Sequence, residues 1–180
     1  MPIPDITVTS DSDSGSLVPL TWPMVSHMSN FTIREAEEID APQILALLRE
    51  MADYVKAPHF TLNEEAVRRD MFGVACHCDL LFHGGEAAGI ATWFWTYKSF
   101  RALRGVYVED LFVRPQYRGR GAGKALLAHL AAKAAGGFLE WQVLDWNSRA
   151  IAFYESLGAK PLTQWLNYRL EGDALEKLAS

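Results

Sequence analysis

Residues 107 to 124 read Tyr-Val-Glu-Asp-Leu-Phe-Val-Arg-Pro-Gln-Tyr-Arg-Gly-Arg-Gly-Ala-Gly-Lys, and this stretch says most about fold and ligand. The apolar run from Val106 to Val113 predicts a strand that stops at Pro115. A glycine-rich loop follows, and residues 121 to 135 read as a helix. This order predicts an anion site, because the first N–H groups of a helix lack internal acceptors and the helix dipole is positive there.

The loop carries three cationic side chains, those of Arg118, Arg120 and Lys124, so a phosphate or pyrophosphate is the expected guest. Two familiar phosphate loops do not fit. A nucleoside-triphosphate loop needs glycine where Arg118 stands and a hydroxyl residue where Ala125 stands. A dinucleotide fingerprint would put its third glycine at Lys124 or Leu126. A glycine-rich turn that merely starts a helix is the plain structural alternative.

The pattern that remains, Arg118-x-x-Gly121-x-Gly123, resembles the coenzyme A loop of the GNAT superfamily of N-acetyltransferases. Residues 143 to 159 resemble the next block of that family, a strand, then Asn147, then a helix ending in Tyr-x-x-x-Gly. The resemblance runs from about Asn30 to the C-terminus. Within the family it is greatest to the diamine (spermidine/spermine) and thialysine acetyltransferase branch.

This resemblance implies a GNAT-like α/β fold, with a mixed, mostly antiparallel twisted sheet flanked by helices on both sides. It implies transfer of an acetyl group from acetyl-CoA to a primary amine of a small molecule, by direct attack in a ternary complex. A diamine, a polyamine and a thialysine-like amino acid are the candidate acceptors. The alternatives are a protein lysine or N-terminal acetyltransferase and a non-catalytic acyl-CoA-binding module. A homodimer is expected by resemblance only.

The family pattern also implies which residues bind acetyl-CoA. Backbone groups near the end of the strand would pair with the pantetheine arm, and the loop would receive the pyrophosphate. Tyr154 would protonate the departing thiolate, since a phenol of ordinary pKa near 10 suits that task. A buried packing aromatic is the alternative for Tyr154, and helix capping alone would explain Asn147. The expected coenzyme-binding residues are Leu111, Phe112, Val113, Arg118, Gly119, Arg120, Gly121, Ala122, Gly123, Lys124, Asn147, Arg149 and Tyr154.

The acceptor amine is expected to meet Glu109, as the group that recognises it and removes its proton, with Asp110 beside it. Successive strand residues face opposite sides, so both carboxylates reach one pocket only if a bulge twists the strand. Trp93 is a candidate wall of the acceptor pocket, or simply core. Asp53 is a candidate substitute for an acidic residue of the diamine enzymes, because Val55 falls near the position of that acid.

Composition narrows the functional class. The 180 residues, of which 49% are hydrophobic and 22% charged, suit one globular domain. A net charge of −5 argues weakly against nucleic acid, and no apolar run is long enough for a membrane span. Cys76 and Cys78 are expected to point to opposite faces of a strand and to be ordinary thiols of a reducing, cytoplasmic compartment. No metal is expected.

Residues 1 to 28 differ from the rest and predict a flexible or tag-like extension, followed by a single domain from residue 29 to 180. The expected elements are ordered βααβββαβαβ, with a short last helix at 172 to 179. The last two strands are expected at residues 138 to 144 and 160 to 170.

Overall fold

A computed structural model of the chain describes residues 31–180. Its strands are β1 (Phe31–Glu35), β2 (His77–His83), β3 (Glu86–Lys98), β4 (Leu103–Val113) and β5 (Phe138–Trp141). Its helices are α1 (Ala41–Val55), α2 (Glu64–Asp70), α3 (Ala122–Lys133), α4 (Ser148–Ser156) and α5 (Asp173–Ala179). The predicted extension of residues 1 to 28 lies outside the described residues. Within the described part, no helix combines the length and the apolarity needed to cross a membrane.

The strands form one sheet in the order β1-β2-β3-β4-β5. Neighbours from β1 to β4 are antiparallel, and β5 lies parallel to β4. Gly84 and Gly85 make the tight turn between β2 and β3, with φ angles of 59° and 85° that favour glycine. The predicted fold class, a mixed and mostly antiparallel sheet, is confirmed.

Helices cover both faces of the sheet, as predicted. One face packs against α1 and α2 through Leu47, Val67 and Ile90. The opposite face packs against α3 through Leu81 and Leu126. The apolar stripe of α1 explains its position, because residues three and four apart share one side of a helix. The sheet therefore offers two distinct faces, here called the α1 face and the α3 face.

The predicted strand at residues 160 to 170 is wrong. This segment has no regular structure, and its large apolar side chains are exposed, Trp165 by 71% and Tyr168 by 89%. A strand needs a partner edge for its backbone groups, but β5 ends at Trp141 and no strand in the described chain pairs with the segment. The predicted last helix is present as α5.

Candidate active site

A bulge interrupts β4 at the acidic pair. Thr92 of β3 lies opposite Asp110, and the next residue, Trp93, lies opposite Val108, so Glu109 is the extra residue. The bulge removes the strict alternation that would separate the two carboxylates. Burial and the neighbouring charge of Asp110 both raise the pKa of Glu109.

Asp110 lies on the α1 face with very little hydrogen bonding. The Thr92 hydroxyl donates to Asp110 Oδ2 at 2.6 Å, and the Asp110 N–H donates to Thr92 Oγ1 at 3.1 Å. No cationic side chain between residues 31 and 180 forms an ion pair with Asp110. Burial raises the pKa of this carboxyl, although the Thr92 hydrogen bond opposes the shift.

Beyond the bulge, one edge of β4 is open. Pairing with β5 runs only from Gly105 to Val108. The Arg114 N–H donates to the Ala88 carbonyl of β3 at 2.9 Å. Because antiparallel bonding alternates along a strand, the backbone groups of Phe112 turn toward β3, while those of Leu111 and Val113 turn toward the open edge. This edge can accept an extended, amide-bearing ligand as an added strand.

The glycine loop follows at the end of this edge. Gly119 and Gly121 have φ angles of 74° and 85°, and α3 begins at Ala122. The N–H groups of residues 119 to 124 donate to no acceptor within the described chain. Arg120 and Lys124 are exposed beside them. Unpaired amides, a helix N-terminus and two cations are the features that an anion site requires.

Arg118 is placed differently from its neighbours in the loop. Its Nε donates to the Val113 carbonyl at 2.7 Å, and its guanidinium lies 4.5 Å from the Tyr54 ring and 5.5 Å from the Phe112 ring. The side chain thus ties the loop to β4 and to the last turn of α1. Its charge is still near the unpaired amides, but its side chain is turned back onto the protein.

Tyr154 of α4 lies on the other side of the open edge. Its ring centroid is 4.9 Å from that of Trp141, the last residue of β5, and Trp141 is paired in register with Val108 just before the bulge. Burial raises the pKa of the Tyr154 phenol, so it is protonated at neutral pH. Asn147 caps α4, accepting from the Ala150 N–H at 3.2 Å, and Arg149 is exposed in the first turn.

Two candidate acceptor residues lie apart from this group. Trp93 is buried on the α3 face, where its Nε1 donates to Asp79 at 2.6 Å and its ring stacks on His77 at 4.3 Å. Trp93 is therefore a core residue, which was the second of the two roles considered for it from the sequence. Asp53 is on the exposed side of α1.

Thr92 was not expected to be part of the site, but its hydroxyl donates to Asp110. The available signal in the sequence was a polar residue within the apolar run of β3.

The expectation that the two thiols point to opposite faces is wrong, since residues two apart on a strand share a face. Interaction between the two thiols lowers the pKa of the Cys76 thiol and, together with burial, raises that of the Cys78 thiol. Both pack on the α1 face. Among residues 31–180, no three His, Cys, Asp or Glu side chains form a group that could hold a metal ion.

Comparison with known proteins agrees with this geometry. The model of the acetyltransferase (GNAT) family matches residues 42–159. Thialysine N-epsilon-acetyltransferase of Bos taurus is 37% identical over 169 residues, which cover 84% of this chain and 99% of the relative. Spermidine/spermine N(1)-acetyltransferase-like protein 1 of Homo sapiens is 30% identical over 170 residues, covering 84% of this chain but 24% of the relative.

Solved structures share the fold. An integron cassette protein from the mobile metagenome of V. cholerae superposes with a TM-score of 0.72 at 24% identity, covering 84% of this chain and 99% of that one. An aminoglycoside acetyltransferase from an uncultured soil metagenomic sample superposes with a TM-score of 0.65 at 18% identity, covering 79% and 97%.

Proposed function

The chain belongs to the GNAT family of acetyltransferases and is an acyltransferase, and from this premise we propose how its own residues transfer the acetyl group of acetyl-CoA to a small primary amine. The names of the relatives make a thialysine-like amino acid, a diamine and a polyamine the first acceptors to test. The observation that carries the proposal is the convergence of an open strand edge, a loop of unpaired amides and two carboxylates at one bulge.

In the proposed complex, the pantetheine arm lies along the open edge of β4, bonded to the backbone of Leu111 and to the N–H of Val113. The carbonyl of Val113 already accepts from Arg118, so this residue offers only its N–H. Because the N–H of Phe112 turns toward β3, we assign the thioester oxygen to the N–H of Leu111 rather than to that of Phe112. Amides from Gly119 to Lys124, among them those of Ala122 and Gly123, hold the pyrophosphate. Asn147 and Arg149 at the start of α4 flank the arm.

The acceptor arrives as an ammonium ion attracted by Asp110 and Glu109. Glu109, the more exposed of the two, takes one proton from it, directly or through water. The free amine attacks the thioester carbonyl, a C–N bond forms, and the C–S bond breaks. Tyr154 gives its phenolic proton to the thiolate, and the second proton that the nitrogen loses as the amide forms restores the phenol through water. No covalent enzyme intermediate is involved.

The test combines titration with acetyl-CoA and a thiol-release assay with amines. We expect the wild type to bind acetyl-CoA and to release thiol and N-acetyl amine in equal amounts. Removal of a general acid typically costs about 10²-fold or more in rate, so Tyr154→Phe should lose that much turnover with an unchanged Kd for acetyl-CoA. Unchanged turnover in Tyr154→Phe would remove Tyr154 from the mechanism, and absence of acetyl-CoA binding would refute the proposal as a whole.

We also propose that residues 29–180 act as one domain, that the protein works in the cytoplasm, and that it is a homodimer. The exposed apolar side chains of the segment after α4 support a partner copy, because a single chain leaves Trp165, Leu166 and Tyr168 in water. Light scattering on the full chain should give twice the monomer mass. A strictly monomeric protein at micromolar concentration would contradict this part of the proposal.

A further inference from the structure

The α1 face of the sheet extends past the bulge to an end that α1 and α2 do not cover. Phe94 of β3 and Tyr107 of β4 are cross-strand partners there, and Glu140 of β5 is in register with Tyr107. Phe138 lies two residues before Glu140, on the same face of β5. All four are half-buried, and none belongs to the described core cluster that α1 and α2 form with the sheet. These four residues are here called the distal platform.

Alternation along the strands places the distal platform on the same face as Asp110. Trp93, Val106 and Leu139 lie one on each of the three strands, and all pack on the α3 face. Their neighbours along the strands therefore point the other way, toward the α1 face. One continuous surface thus joins the bulge to the distal platform.

Tyr107 connects the two ends of this surface. Its ring stacks on that of Phe94, with the ring centroids 5.0 Å apart and the planes at 23°. Burial raises the pKa of the Tyr107 phenol, and the nearby charges of Glu109 and Glu140 raise it further. Tyr107 therefore lies between a carboxylate of the bulge and a carboxylate of the distal platform. The stacked rings offer an apolar floor to a ligand that spans the two.

The distance between these carboxylates is on the scale of a short linear acceptor. At a rise of about 3.3 Å per residue, Asp110 and Tyr107 are about 10 Å or less apart along β4. Glu140 lies on the next strand, about 4.8 Å to the side, so its backbone is about 11 Å from that of Asp110. A ligand with a cationic group at each end of one extended chain can therefore contact both carboxylates.

The distal platform, unlike Asp110, has a cation beside its carboxylate. Lys98 Nζ lies 2.7 Å from Glu140 Oε2 and 5.3 Å from the centroid of the Phe138 ring. Of the two side chains, 44% of Lys98 and 27% of Glu140 are exposed, so each keeps hydrogen-bonding positions open to a ligand. A cation and an anion side by side complement an α-amino-acid head group, in which one carbon atom carries an ammonium and a carboxylate group.

We propose, resting on the acetyl transfer described above, that Lys98 and Glu140 select an acceptor that is an amino acid with a terminal amine. Glu140 binds the α-ammonium group, Lys98 binds the α-carboxylate, and the chain of the acceptor crosses the stacked rings. The terminal ammonium group then reaches Asp110 and Glu109, so the terminal nitrogen is acetylated and the α-nitrogen is not. A diamine of the same length keeps the contact with Glu140 and remains an acceptor, with a lower kcat/KM.

The experiment compares thialysine with two analogues of equal chain length. One is the diamine that remains when its carboxylate is removed, and the other is the acid that remains when its α-amino group is removed. Initial rates of thiol release at saturating acetyl-CoA give kcat/KM, and fragmentation of the product in a mass spectrometer locates the acetyl group. We expect thialysine to exceed each analogue about tenfold, the scale of one hydrogen bond to a charged group.

The outcomes separate this proposal from the proposed function. An analogue that equals thialysine, or acetylation of thialysine at its α-nitrogen, would overturn the role of the distal platform while leaving acetyl transfer intact. Turnover of no amine by a protein that binds acetyl-CoA would overturn both.

Variants assign the two contacts to their residues. Lys98→Gln should lower kcat/KM for thialysine about tenfold and raise that for the diamine, because Glu140 then has no competing cation. Lys98→Arg keeps the cation and should retain the preference for thialysine. Glu140→Gln should lower kcat/KM for thialysine and for the diamine but not for the acid.

Lys177→Gln is the matched control, since it removes the same charge from the exposed helix α5, outside the distal platform. The Kd for acetyl-CoA should be unchanged in every variant, which shows that each is folded. The same change of selectivity in Lys177→Gln as in Lys98→Gln, or an unchanged selectivity in Lys98→Gln, would contradict the proposal.

Discussion

Two aspartates on the strands that flank β3, one fully buried and the other partly buried, differ sharply in their partners. Asp79 of β2 is fully buried on the α3 face, with Trp93 Nε1 at 2.6 Å, His129 Nε2 at 3.1 Å and Lys133 Nζ at 3.5 Å. Asp110 of β4 is on the α1 face with one hydroxyl donor and no cation from the described chain. Asp79 has no accessible surface, and Asp110 keeps some. The number of partners differs as well, and a fully paired carboxylate belongs to the fold, whereas an open one can bind a ligand.

The largest effect, a loss of stability, is expected when the fully paired Asp79 is replaced. Asp79→Ala leaves the indole N–H of Trp93 without its acceptor and removes the carboxylate that His129 and Lys133 approach. Loss of one partner from a buried charged group costs about 3 kcal/mol or more, so the free energy of unfolding should fall by that amount in urea titrations. The folded variant should keep its KM for the amine within about twofold, since none of the lost contacts is on the α1 face. A stability equal to that of the wild type would show that the network is not structural.

Removal of the Asp110 carboxylate should weaken binding of the acceptor amine rather than reduce stability. In Asp110→Asn the amide oxygen still accepts from Thr92, but the charge that faces the ammonium group is gone. Loss of one member of a buried charge pair costs about 2–5 kcal/mol, so kcat/KM for the amine should fall about 100-fold. Initial rates at saturating acetyl-CoA measure this, with the Kd for acetyl-CoA unchanged as the control.

The same variant should not be less stable than the wild type. Because burial raises the folded-state pKa of Asp110 above the unfolded value, its contribution to stability is full at low pH and is lost as pH rises through the folded pKa. The difference in unfolding free energy in favour of Asp110→Asn should therefore grow from acidic to neutral pH. A variant that is destabilised at pH 7 but not in acid would contradict the assignment of Asp110 as an open group.

The coenzyme loop should be independent of both aspartates. Gly121 has a φ of 85°, and a Cβ there would meet no atom within 4 Å, so substitution acts through backbone strain rather than through a clash. Gly121→Val should weaken acetyl-CoA about tenfold in calorimetric titration while the KM for the amine changes little. Equal binding of acetyl-CoA by wild type and variant would refute an anion site between Gly119 and Lys124.

The smallest effect concerns the hydroxyl that holds Asp110. Thr92→Val keeps the shape of the side chain, and its lost hydrogen bond is worth about 1 kcal/mol. The KM for the amine should rise about threefold to fivefold. The pKa of Asp110 should rise further, because the Thr92 hydrogen bond opposes the effect of burial. A pH profile identical to that of the wild type would show that the pair is not coupled.

Much of the fold was predictable because its signals are local. The apolar run before Pro115, the glycines of the loop and the helix cap at Asn147 all predict elements from neighbouring residues. The strand expected at residues 160 to 170 failed for a non-local reason, since a strand forms only where a partner edge exists.

The sequence suggests a chemistry for the site but does not show how its residues are oriented. The type of residue at Glu109 and Asp110 indicated amine recognition, but the bulge that places them depends on the register between β3 and β4. Trp93 and Asp53 were assigned to the acceptor by residue type. The face of the sheet on which a side chain lies depends on strand pairing several positions away. The sequence alone therefore could not show that Trp93 lies in the core of the α3 face while Asp110 lies at the bulge on the α1 face.

The pH dependence of kcat/KM for the amine tests most directly whether open carboxylates at the bulge receive the acceptor. Ionised carboxylates are required to bind an ammonium group, and burial raises the pKa of both Asp110 and Glu109, so activity should decline toward acid at a pH above the ordinary aspartate range. Asp110→Asn removes one such group and the charge that raises the pKa of the other. Its acidic limb should move to lower pH, whereas superimposable limbs in the two proteins would contradict the account.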